Sequence, residues 1–190
     1  MTTSIPAADP ASMGDLTAIV KNYDIRGLVG DTITEPLVTA LGAAAVDELG
    51  LAGREIVIGH DMRDSSPGFA AAFARGARVR GARPVMLGQC STDMNYYASG
   101  ARDAAAAMFT ASHNPAAYNG IKMSAAGAKG ISLDTGLAAI RDRAAEYLRD
   151  GIPAAGDDAG QIAVDVLRDY AEHLRALVDL RGIRPLRIVV

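Results

Sequence analysis

Short apolar runs alternate along the chain with longer stretches of helical period. Glu55–Gly59, Pro84–Leu87 and Ala104–Phe109 are compact runs, read as buried strands of a parallel or mixed sheet. Thr34-Glu35-Pro36 supplies an N-cap hydroxyl, an acidic residue and a first-turn proline. Leu37, Leu41, Ala44, Ala45 and Leu49 then fall at helical spacing, and Gly50 closes the helix. Ser65 and Ser66 cap a second helix that Pro67 opens and that runs over Gly68–Arg80. Thr92 is read as the cap of a third helix, through Asn95, Tyr96, Tyr97 and Ala98. Ile19–Ile25 is compatible with an opening strand, ended by a turn at Gly27 and Gly30. Strand alternating with helix predicts a layered α/β domain.

Gly127–Leu133 is hairpin-prone, and Asp134 is expected to cap a helix over Thr135–Arg149 whose arginines form a solvated face. Asp150–Gly160, rich in Gly, Ala, Pro and Asp, reads as a linker. Asp165–Leu180 is amphipathic, with Val166, Leu167, Tyr170, Leu174 and Leu177 on one side and His173 as a surface imidazole. Pro185–Val190 reads as a last apolar strand. The expected organisation is a flexible tail over residues 1–14, one domain over 15–152, and a linker with the beginning of a second domain over 153–190.

Composition narrows the function classes. A net charge of −3 leaves no basic footprint, so nucleic acid is not an expected partner and phosphate binding would have to be local. No apolar run approaches the roughly 18 residues of a membrane span, and Met1–Gly14 lacks a signal-peptide pattern. A single cysteine, Cys90, forbids an internal disulfide and fits a reducing cytoplasm; it reads as a small core filler.

The chemistry concentrates after the Ala104–Phe109 strand, in Thr110-Ala-Ser-His-Asn-Pro115 and Tyr118-Asn-Gly-Ile-Lys122. Asn114-Pro115 stops the strand and leaves Ser112 on a loop at its end, where open α/β sheets place ligands. Residue types alone leave two readings open. The loop is either a turn whose hydroxyl and amide satisfy backbone groups, or a site for covalent phosphate chemistry. In the second, Ser112 is the carrier, His113 the proton handler and Lys122 a fixed cation.

The string T-A-S-H-N-P followed by Y-N-G-I-K resembles the phosphoserine loop of the α-D-phosphohexomutases, most closely the phosphomannomutase/phosphoglucomutase branch. Lys21-Asn-Tyr-Asp-Ile-Arg-Gly27 is similar to the Y-D-I/V-R-G block that opens these enzymes; phosphoglucosamine mutases usually read T-D-G-I-R-G there. His60-Asp-Met-Arg-Asp-Ser-Ser-Pro67 resembles the family's G-R-D-x-R-x-S-S block, with His60 in place of the usual arginine and with Asp61 and Arg63 as a structural pair.

The resemblance implies an α/β/α domain with a mixed sheet, forming the N-terminal part of a phosphosugar mutase. Such an enzyme interconverts hexose 1-phosphate and hexose 6-phosphate, of mannose or glucose, through a phosphoserine and a hexose 1,6-bisphosphate. It carries catalytic roles to Ser112, His113, Lys122 and Arg26, and a place in the substrate cleft to Tyr23; Asn114 is expected to hold the loop at the substrate. It also implies Mg²⁺ bound to the phosphate on Ser112, and hexose 1,6-bisphosphate as activator. The family's D-x-D-x-D-R metal loop has no match here, and the remaining domains are expected beyond Val190, so this segment alone is expected to be inactive. A phosphoglucosamine mutase fragment and a catalytically incomplete phosphoprotein or binding domain are the alternatives.

Overall fold

The computed structural model describes residues 3–8, 16–155 and 159–189. A single turn α1 (Leu16–Ile19) precedes β1 (Ile25–Leu28), α2 (Glu35–Glu48), β2 (Glu55–His60) and α3 (Ser66–Val79). Then follow β3 (Arg83–Gln89), α4 (Thr92–Arg102), β4 (Ala105–Phe109), β5 (Tyr118–Ala125) and β6 (Lys129–Gly130). The chain continues with α5 (Leu137–Asp150), β7 (Ile162–Ala163) and α6 (Leu167–Leu177). The sheet order is β1-β5-β4-β2-β3-β7, with β6 paired to β5. β4, β2, β3 and β7 run parallel, whereas β5 is antiparallel to both β4 and β1, so the sheet is mixed.

The two-residue period of the strands sorts the core into two layers. Ile56, Ile58, Ala105, Ala107 and Phe109 join the cluster shared with α2, α3 and α5, while Val57, Val85 and Ala106 face α4. That is a helix–sheet–helix sandwich. In α2 every residue from Leu37 to Val46 is buried, not one stripe, because the helix contacts both α3 and α5. Small residues allow this: a Cβ on Gly42 would lie 2.2 Å from the Phe73 carbonyl oxygen, and one on Gly76 1.9 Å from that of Thr39. The backbones of α2 and α3 therefore meet directly.

Several sequence expectations shift. The expected Ile19–Ile25 strand is instead a helical turn followed by a tight turn, in which the Lys21 amide donates to the Asp24 carbonyl oxygen at 2.8 Å. The strand begins at Ile25 and continues through Gly27, which leaves Tyr23 and Asp24 on the turn and Arg26 in the sheet. Ser91, not Thr92, caps α4 by accepting from the Met94 amide. Ser132 takes the capping role expected of Asp134, through a box with Thr135, and α5 starts only at Leu137. Ser65 stands at the N-cap of α3 without a side-chain cap bond, because its hydroxyl, like that of Ser66, faces Asn119. The hairpin expected over Gly127–Leu133 is realised as the short β5–β6 pairing.

At the chain's two ends, Ile5 bridges Ile152, and β7 joins β3 as a further parallel strand of the sheet. Val166 is buried against the α4 layer, while no residue of α6 is buried. Tyr97 on α4 lies 5.6 Å from Tyr170 and 5.1 Å from His173, ring centre to ring centre. Residues 185–189 form no strand and are exposed; Val190 and Asp157-Asp158 lie outside the described residues.

Candidate active site

Phe109, the last residue of β4, anchors the loop. It is fully buried and meets Phe73 of α3 edge to face, centroids 5.7 Å apart, an arrangement worth about 0.5–1.5 kcal/mol beyond burial itself. Beyond it the Thr110 amide donates to the Gly120 carbonyl oxygen at 3.0 Å, and the Ser112 amide to the Thr110 hydroxyl at 3.0 Å. Ser112 then takes a left-handed backbone, φ +54°. For a residue with a Cβ that conformation costs on the order of 1–2 kcal/mol and is held by its surroundings. It puts the hydroxyl in solvent at the C-terminal edge of the parallel strands, with His113 Nδ1 3.4 Å from Ser112 Oγ.

Arg26 and Lys122 come from neighbouring antiparallel strands whose register pairs Ile25 with Ile121. The close approach of those strands requires Gly120, where a Cβ would lie 2.2 Å from the Ile25 carbonyl oxygen. Both cations converge on one carboxylate oxygen. Asp24 Oδ2 accepts from Arg26 Nε at 2.9 Å and from Lys122 Nζ at 3.2 Å, and lies 2.8 Å from Arg26 Nη2. Two cations thus share one carboxylate, leaving a local positive excess in a chain of net charge −3. Arg26 Nη1 also donates to the Asn114 side-chain oxygen at 2.6 Å, which ties β1 to the serine loop.

The second loop beside Ser112 follows β2. The Asp61–Arg63 pair forms as expected, Nε to Oδ2 at 3.2 Å. Asp61 Oδ1 accepts from the Arg63 amide at 3.0 Å and the Ser66 hydroxyl at 2.7 Å. Burial works to raise the Asp61 carboxyl. Hydrogen bonds from Ser66, the Arg63 amide and Thr110, with the Arg63 charge, outweigh it and hold the group below the usual carboxylate range.

The structure therefore brings together Ser112, His113, Asn114, Arg26 and Lys122. Tyr23 is on the adjoining turn with its ring in solvent, 74% exposed. Sequence reasoning gave no role to Asp24, which orients both cations, or to Asn119, which is fully buried and donates to the Ser65 and Ser66 hydroxyls at 2.7 and 2.9 Å. The signal for Asp24 was its place between Tyr23 and Arg26; nothing linear pointed to Asn119. Cys90 is half-buried, and burial pushes its thiol up to about 11, the state of an inert filler.

Among the described residues no group of three or more His, Cys, Asp or Glu side chains could hold a metal ion. Asp24 and Asp61 are both committed to cations. The side chains present here do not by themselves make a Mg²⁺ site, and Ser112 would be a single ligand.

The family model described as phosphoglucomutase/phosphomannomutase, alpha/beta/alpha domain I, matches residues 17–150. The chain belongs to this family. It is 39% identical over 172 residues to a protein named phosphohexose mutases from Xanthomonas campestris, and 37% identical over 173 residues to a phosphomannomutase of Escherichia coli. Each alignment covers 90% of this chain and 37% of the relative. A solved phosphoglucomutase/phosphomannomutase family protein from Burkholderia thailandensis superimposes with a TM-score of 0.74 at 28% identity, over 89% of this chain and 37% of that one. The chain spans little more than a third of the length of these family members.

Proposed function

We propose that this chain is the phosphoserine-bearing part of a phosphohexose mutase that interconverts the 1- and 6-phosphates of mannose or glucose. The observation that carries the reading is the exposed Ser112, on a left-handed backbone at the sheet edge, in a loop that Arg26 meets through Asn114 while sharing one carboxylate with Lys122. A phosphoryl dianion needs such fixed positive groups where its charge shifts during transfer.

In the forward half, the phosphorus–Oγ bond of phosphorylated Ser112 breaks and a phosphorus–oxygen bond forms to the free sugar hydroxyl. The hydroxyl proton leaves, and Oγ regains a proton. The hexose 1,6-bisphosphate turns over, its other phosphate returns to Ser112, and the displaced sugar oxygen is protonated. Atoms and charge balance to an isomerisation. In this reading His113 relays the proton at Oγ, Arg26 and Lys122 stabilise the phosphoryl oxygens, Asn114 holds the loop, and Tyr23 meets the sugar from the rim. Mg²⁺ and a bisphosphate activator remain part of the proposal, with Ser112 as the metal ligand contributed from here; no step above is routed through the ion. The segment 1–190 by itself is proposed to give no multiple turnovers.

The test is conversion of mannose or glucose 1-phosphate by the full natural chain, with hexose 1,6-bisphosphate and Mg²⁺, beside its Ser112→Ala variant. Multiple turnovers that Ser112→Ala abolishes support the reading, and turnover that survives Ser112→Ala contradicts it. Sustained turnover by residues 1–190 alone would sink the statement about the segment.

A further inference from the structure

A guanidinium has five N–H donors in a fixed plane. In Arg63 all five are engaged within the protein. Nη1 donates to the carbonyl oxygens of Pro115 at 2.9 Å and Tyr118 at 3.0 Å. Nη2 donates to those of Ser112 at 3.0 Å and Asn114 at 2.7 Å, and Nε to Asp61 Oδ2 at 3.2 Å. Four of the five acceptors are main-chain oxygens, three of the serine loop and one of the first residue of β5, on both sides of His113, and the side chain is only 12% exposed. Lys122 differs: among the described residues its ammonium meets one acceptor, Asp24.

The clamp is braced from behind. Asp61 is held by the Ser66 hydroxyl, and Ser66 accepts from the buried Asn119, which lies at the start of β5. A polar chain thus runs from the far end of the loop, through the start of α3, back to its middle. Turns within the loop, Asn114 amide to Ala111 carbonyl and Tyr118 amide to Pro115 carbonyl, are local. The Arg26 bond to the Asn114 side chain and the Val29 amide bond to the Ala117 carbonyl tie the loop to β1, and the contacts from Arg63 hold its main chain against the loop after β2.

We propose that Arg63 is a positioning residue for Ser112: it holds the loop so that the serine keeps its left-handed backbone, and it does not itself bind the phosphate. The inference rests on the mutase reading for its catalytic consequence, while its structural half can be measured without it. Lysine keeps the charge but cannot span four carbonyls with one ammonium, so Arg63→Lys is the informative change.

The experiment uses the full natural chain and compares wild type with Arg63→Lys. It measures kcat and KM for hexose 1-phosphate, thermal midpoint, and amide exchange over residues 112–118 against β4. The expected result is a kcat loss on the order of 10²-fold with KM changed less than about twofold, since a misplaced nucleophile slows transfer without removing a binding group. Exchange over 112–118 rises while β4 stays protected. A KM increase without kcat loss would make Arg63 a phosphate ligand, and unchanged exchange with wild-type kcat would remove the clamp; either overturns the proposal. Should Arg63→Lys fail to fold, Asp61→Asn, which weakens the brace alone, is expected to move kcat and loop exchange in the same direction, and wild-type values of both would overturn it. A wild-type enzyme without mutase turnover would defeat the mutase reading, and loop exchange would then decide the clamp by itself.

Discussion

The arrangement around Ser112 separates residues by what their donors already hold. Arg63 is fully engaged, by four backbone oxygens and the Asp61 carboxylate, whereas Lys122 shares a single carboxylate with Arg26. The second kind is suited to an incoming phosphoryl group, because an ammonium that meets one acceptor has two N–H donors to offer. Lys122→Ala is therefore expected to lower kcat on the order of 10²- to 10³-fold, the scale for removing one preorganised charge stabiliser. The thermal midpoint should stay close to wild type, because Asp24 keeps its pairing to Arg26. Steady-state rates with a melting curve check this, and a variant of wild-type kcat would remove Lys122 from the chemistry. Ser112, His113 and Asn114 were legible because they are contiguous in one string. The bond of Asp24 to Lys122 and the carbonyl contacts of Arg63 were not, because the partners are 98 and 49 to 55 residues apart and meet only through strand pairing.

At the scale of elements, two close approaches of backbone decide the geometry. Gly120 lets β1 lie against β5, which sets Arg26 beside Lys122, and Gly42 with Gly76 lets α2 and α3 touch. A Cβ at residue 76 would sit 1.9 Å from a main-chain oxygen, which cannot move without displacing a helix. Gly76→Ala is expected to destabilise by at least about 1–3 kcal/mol, the usual cost of overpacking, although alanine is the better helix former. Urea unfolding measures it, and an unchanged or raised midpoint would contradict the packing described. Strands β2, β3 and β4 and helix α2 were readable from period and caps. The opening strand was misplaced because Lys21-Asn-Tyr-Asp looks extended in an apolar context and only the pairing of Val20 with Ile25 folds it into a turn. The stripe expected on α2 became full burial for a related reason: period reports one buried face, and the covering by α3 and α5 is a tertiary fact.

For the molecule as a whole, the Asp61–Arg63 pair, whose arginine also holds the main chain of the serine loop, makes stability depend on acid. Asp61 has its folded-state value lowered, so its contribution is fully present above the ordinary carboxylate value of about 3.9 and is lost as pH falls through the folded value. Unfolding free energy should decline as pH drops below about 4, and Asp61→Asn should be less stable at pH 7 with a shallower acid decline; an equally steep decline would contradict this. The layered fold was predictable from alternation alone, while the joining of Ile162–Ala163 to the sheet was not, since two residues at an edge carry no period. The central claim is that Ser112 carries the phosphoryl group. It is tested most directly by intact mass and site mapping of the natural protein after incubation with hexose 1,6-bisphosphate and Mg²⁺. The account predicts one added phosphoryl group, about 80 Da, on Ser112, and none in Ser112→Ala. A phosphoryl group on another residue, or none at all, would contradict it.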